Sequence, residues 1–162
     1  MEHRTRREFV TAAGAAAVLG GAAGANAAAQ TQPSQEGKTG KQIIPGSPYP
    51  TFSRAVRLDR LVFVAGVVGQ KPGTRDLVGG EFEAEARQAL ENLKASVEAS
   101  GSVMANVLKC TVYITQAADF AAFNKVYVKL FPSDPPARSS VVVKELVVPG
   151  ARLEIDCVTY VD

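Results

Sequence analysis

The sequence predicts a single α+β domain, one mixed β-sheet with two helices on one face, in the order β-β-α-β-α-β-β. Three observations predict it. Two stretches repeat apolar residues at helical spacing. Five others alternate apolar and polar residues or are rich in valine, as strands are. Strands and helices are mixed in an order that suits one sheet with its helices gathered on one side. A chain of 162 residues is long enough for one such core and too short for two.

The N-terminal 29 residues are set apart. Thr5-Arg6-Arg7-Glu8-Phe9-Val10 is a twin-arginine pattern, an uncharged Ala/Gly-rich run follows from Thr11 to Ala23, and Ala25-Asn26-Ala27 offers a small-residue cleavage site. The expectation is an export signal over residues 1–29, a periplasmic or secreted protein, and no membrane partner after cleavage. Residues 30–42, polar and rich in Gln, Ser, Gly and Lys, read as a flexible linker, and 43–162 as the folded domain. The signal holds three arginines and two glutamates, so the remainder is close to neutral and carries no block of like charge. That argues against nucleic acid or an anionic membrane as partner.

Composition narrows the chemistry. The one histidine, His3, lies in the signal. The domain therefore has no histidine for a Ser-His-Asp or Cys-His system, and none to ligate a metal. Cys110 and Cys157 are far apart, lack CxxC or zinc spacing, and sit in apolar runs, so they read as buried free thiols. No metal and no cofactor is expected. Arg, Glu, Asp, Ser, Tyr, Asn or the backbone must do the work.

Pro45 to Pro50 is turn-prone. Ser53–Leu58 and Leu61–Ala65 read as strands joined by an Asp59-Arg60 turn, and Gly66–Gly80, with Pro72, Gly73, Gly79 and Gly80, as a loop. In Glu81–Ala99 the residues Ala86, Ala89, Leu90, Leu93 and Val97 recur on one helix face. Glu81, Glu83 and Glu85 suit its N-terminal dipole, and Gly101 its stop. Val107–Thr115 alternates, with Leu108, Cys110, Val112 and Ile114 on one face. Asp119 opens a second helix with Phe120, Phe123, Tyr127 and Leu130 as its buried stripe, and Pro132 ends it. Arg138–Leu146 and Arg152–Val161 are the last strands, with Pro149-Gly150 turning between them; Leu153, Ile155 and Cys157 share one face, Glu154, Asp156 and Val158 the other. So valine-rich a sheet leaves one face uncovered, which predicts a closed homo-oligomer.

Pro135-Pro136-Ala137-Arg138-Ser139-Ser140-Val141-Val142-Val143 places an arginine at the mouth of a β-branched strand behind two prolines. Proline stiffens the approach, and a guanidinium held there suits bidentate capture of a carboxylate. Taken alone, the stretch favours the plainer reading, a strand-edge arginine paired with a nearby acid. Glu154, taken by its spacing alone, reads first as a solvated strand residue or an ion-pair partner of Arg138.

Six segments together resemble one family. They are Phe52-Ser53-Arg54-Ala55-Val56, Leu61-Val62-Phe63-Val64-Ala65-Gly66, Ala89-Leu90-Glu91-Asn92-Leu93-Lys94, Phe123-Asn124-Lys125-Val126-Tyr127, Pro135-Pro136-Ala137-Arg138-Ser139 and Leu153-Glu154-Ile155. In this order they resemble the Rid/YjgF reactive-intermediate deaminases. The resemblance implies a chorismate-mutase-like subunit, a homotrimer with clefts between subunits, and hydrolysis of 2-imino acids to 2-oxo acids and ammonia. It assigns Arg138 to the substrate carboxylate and Glu154 to water or proton handling, with Asn124, Phe52 and Ser140 lining the substrate site.

The chain departs from the family pattern at Phe52, where tyrosine is usual, at Arg54 for glutamine, at Ala65 for serine and at Ser140, often cysteine. Fewer pocket hydroxyls imply a different choice among substrates. The alternative function is a non-catalytic trimeric binder of small carboxylates. Family-linked ribonuclease activity is less well supported, with no basic aromatic stripe and no histidine in the domain.

Overall fold

The computed structural model describes residues 40–162, so the expected export signal and the first part of the expected linker lie outside the described residues. Strands β1 (Gln42–Ile44), β2 (Ala55–Leu58) and β3 (Leu61–Val68) lead into α1 (Phe82–Ala99). Then come β4 (Val107–Ile114), α2 (Phe120–Leu130), β5 (Ala137–Val142) and β6 (Leu153–Tyr160). The α+β class and its two helices are as the patterns predict. Strand β1 is an addition: three residues are too short a run for alternation to mark, yet Gln42, Ile43 and Ile44 pair with Arg57, Val56 and Ala55.

The sheet runs β1-β2-β3-β6-β4-β5. All neighbours are antiparallel except β4 and β5, and α2 supplies the crossover that a parallel pair needs. Asp59-Arg60 forms the two-residue turn between β2 and β3, with Asp59 at φ 54°. Leu90, Leu93 and Val97 of α1, Phe123 and Val126 of α2, and Val62, Val112, Leu153 and Ile155 of the sheet make one core. Each such side chain contributes about 1.5–3 kcal/mol of burial. Cys110 and Cys157 are free, buried and opposite each other across β4 and β6. Burial first of all pushes both thiols up, so they stay protonated.

Four expectations need correction. Leu108 is 46% exposed, because a bulge between Val107 and Lys109 makes Leu108 the extra residue and gives its core place to Val107. Residues Gly66–Val68 belong to β3 rather than to a loop, since a second bulge between Val64 and Val67 lets the strand continue. Asp119 makes no side-chain cap; a short 3-10 turn, Ala117–Asp119, leads into α2 instead. The last predicted strand before Pro149 also ends early, at Val142. The sheet face away from the helices is open: Leu61, Phe63 and Val141 are exposed.

Candidate active site in two halves

Arg138 stands on β5 opposite Cys110 of β4, and therefore on the helix side of the sheet. Its guanidinium lies over three rings of α2, with its carbon 4.5 Å from the Tyr127 centroid, 5.4 Å from Phe120 and 5.6 Å from Phe123. These faces hold a cation without neutralising it. Among the described residues Arg138 enters no ion pair. Phe120, expected in the core, is partly exposed and with Ser140, Ile114, Ala117, Val141 and Val142 lines an open cleft of about 220 Å³. Asn124 is half-buried on α2, one turn after Phe120. The Tyr127 hydroxyl is buried with no hydrogen-bond partner among the described residues; burial, then the Cys110 thiol, push its phenol up.

Glu154 is on the other face. It pairs in register with Tyr113 of β4 and Val68 of β3, beside Asp156. Burial, then the Asp156 carboxylate, push Glu154 above the usual carboxylate range. The Tyr113 hydroxyl donates to Asp156 Oδ2 at 3.2 Å. Ala65 and Gly66 form the β3 bulge opposite Asp156, and the Glu154 carboxyl lies against Gly66, where a Cβ would run into Oε1. The bulge thus makes a backbone recess for the carboxyl. It is clamped on both sides: Ala65 N–H donates to Arg54 O at 3.0 Å, and Asn92 Nδ2 of α1 donates to Val68 O at 2.9 Å and Gln70 O at 2.8 Å.

The start of β6 is fixed by an ion pair that the sequence reading missed. Glu85 is buried, and accepts from Arg152 N–H at 2.6 Å and Arg152 Nε at 2.7 Å; Arg152 Nη2 donates to Gly80 O at 3.0 Å. Glu85 serves as this anchor two residues before Glu154, which is more than a complement to the helix dipole. Its position in a helix first turn gave a surface reading, because the partner is 67 residues away.

The chain therefore brings Arg138, Ser140 and the α2 aromatics together, with Asn124 nearby. It brings Glu154 to Gly66, with Phe52 on the segment that runs beside the bulge. It does not bring Glu154 to Arg138. Gly66 was the other omission; a glycine inside a strand pattern signals a bulge or a close approach, and here it is both.

A family model described as Endoribonuclease L-PSP matches residues 45–161. The chain belongs to the Rid/YjgF family. A 2-iminobutanoate/2-iminopropanoate deaminase of Dermatophagoides farinae is 40% identical over 126 residues, covering 75% of this chain and 98% of that protein. The human protein of the same name is 38% identical over 114 residues, covering 70% of this chain and 82% of its own length. The crystal structure of RidA from an Antarctic Psychrobacter superposes with a TM-score of 0.70 at 35% identity, covering 74% of this chain and 99% of that one. The α+β domain thus has the Rid fold.

Proposed function

We propose that this Rid protein hydrolyses reactive 2-imino acids to 2-oxo acids and ammonia, at a site shared between two copies of the chain. The observation that carries the proposal is Arg138: a guanidinium held over three rings, one of which, Phe120, lines an open cleft, with no acid partner among the described residues. Such a group is free for a carboxylate. The kinship with named deaminases supplies the reaction class. Because β5 and β6 hold Arg138 and Glu154 on opposite faces, a neighbouring subunit's Glu154 must complete the site. A closed homotrimer meets that need and covers the apolar open face. The twin-arginine pattern supports an exported enzyme.

The chemistry asks little. An imine is already electrophilic, and orientation of imine and water is the main gain. Water adds to the imine carbon, a proton moves to nitrogen, and the carbinolamine collapses to C=O with loss of ammonia. Glu154, with its raised proton affinity, relays the proton from water to nitrogen. Binding of small carboxylates without turnover is the second reading, and Phe52 and Ala65, which lack hydroxyls, favour it.

The test is imine hydrolysis measured by semicarbazide competition, on imines formed in situ by an amino-acid oxidase. Arg138→Ala and Glu154→Gln are each expected to abolish the acceleration. Co-expressed, they recover about a quarter of wild-type activity, since random mixing leaves that fraction of interfaces with both groups intact. No recovery refutes the shared site. No acceleration by wild type favours the binding protein.

A further inference from the structure

We propose that Tyr49 and Phe52 form a side-chain subsite that selects 2-imino acids with aromatic side chains. The inference rests on the deaminase reading and adds the substrate class. Phe52 is 46% exposed, yet its ring is stacked on Tyr49, with centroids 5.5 Å apart and planes 25° from parallel. Tyr49 is held at three points. Its hydroxyl accepts from Gln70 Nε2 at 2.8 Å, its N–H donates to Ser47 Oγ at 3.1 Å, and the Arg75 guanidinium lies over its ring at 4.9 Å. Two of these holders are themselves held. Gln70 is buried and donates to Arg75 O at 2.9 Å, while Arg75 donates to Pro48 O at 2.9 Å.

Phe52 therefore presents a ring face that is fixed before any ligand arrives. The segment that carries Phe52 leads to the recess. Two residues on, Arg54 O accepts from Ala65 N–H, and Gly66 beyond it is the recess for the Glu154 carboxyl. A preformed platform, on the segment whose backbone is bonded to the recess strand, loses no rotamer freedom on binding. A planar substrate side chain stacks on it, which is worth roughly 10-fold for one good aromatic pair. A methyl side chain gains little, and Phe52 offers no hydroxyl to a polar one. Tyr49 is a positioning residue, acting through Phe52.

The full chain is tested on imines formed in situ from phenylalanine and from alanine, comparing kcat/KM. The aromatic imine is expected to be preferred by about 10-fold. Phe52→Leu removes that preference, and Tyr49→Ala lowers it by raising KM more for the aromatic imine than for the alanine-derived one. A wild-type ratio at or below one, or a ratio that neither variant moves, overturns the subsite and leaves the deaminase reading standing. A second readout needs no turnover: calorimetric Kd values for phenylpyruvate and pyruvate, with circular dichroism to show that the variants are folded. Tighter phenylpyruvate binding, lost in Phe52→Leu, supports the subsite. Found without any imine hydrolysis, that result overturns the deaminase reading alone; equal Kd values overturn the subsite.

Discussion

Gly66→Ala separates catalysis from stability in this fold. The added Cβ would overlap Glu154 Oε1 and lie 3.0 Å from Cδ and 3.2 Å from Cγ. All three atoms belong to the end of a side chain that can swing away, so the backbone need not move. Gly66 is outside the positive-φ glycines, so alanine adds no backbone strain. The stability change is expected to stay within about 1 kcal/mol, typical of a substitution that opens no cavity and breaks no buried pair. The carboxyl, however, must move by about 1 Å to restore contact distance. A displacement of that size in a group that orients the reacting atoms costs about 100-fold in kcat/KM. Imine hydrolysis by semicarbazide competition and urea unfolding, run on the same preparation, test both halves. Full activity in Gly66→Ala would show that the recess does not position Glu154. A loss of activity matched by several kcal/mol of destabilisation would refute the argument that only the carboxyl yields.

Two further outcomes follow from the ionisable groups. Glu154 binds its proton more tightly folded than unfolded, so its contribution is most favourable at low pH and falls as pH rises through the folded pKa. Glu154→Gln should therefore unfold at higher urea than wild type at neutral pH, and the difference should vanish below the usual carboxylate range; a constant difference across pH contradicts the burial argument. Glu85→Ala leaves Arg152 Nε and N–H without their buried acceptor and should cost about 3–5 kcal/mol in urea unfolding, with Glu85→Gln milder because one acceptor remains. An Ala variant within 0.5 kcal/mol of wild type would show that the pair does not anchor β6.

Local periodicity determined much of this protein from sequence alone. Helical spacing of Ala86, Leu90, Leu93 and Val97 fixed the buried face of α1, and period-2 alternation fixed Leu153, Ile155 and Cys157 in the core with Glu154 and Asp156 outside. The prolines before Arg138 marked the entry to β5, and the family motifs marked Arg138 and Glu154 as the pair to watch. Periodicity failed at the two bulges, because one extra residue shifts every later side chain to the other face, and only Gly66 in β3 gives a local sign of it. It also missed Glu85 with Arg152, and the support of Phe52 by Tyr49, Gln70 and Arg75, since those contacts close only when distant segments meet. The relation of Arg138 to Glu154 is the clearest case. Sequence placed each on a strand, but only the register of β5 on β4 and of β4 on β6 put them on opposite faces. A strand's side-chain direction is local, whereas its sense relative to another strand depends on the pairing between them, and that is a property of the folded sheet.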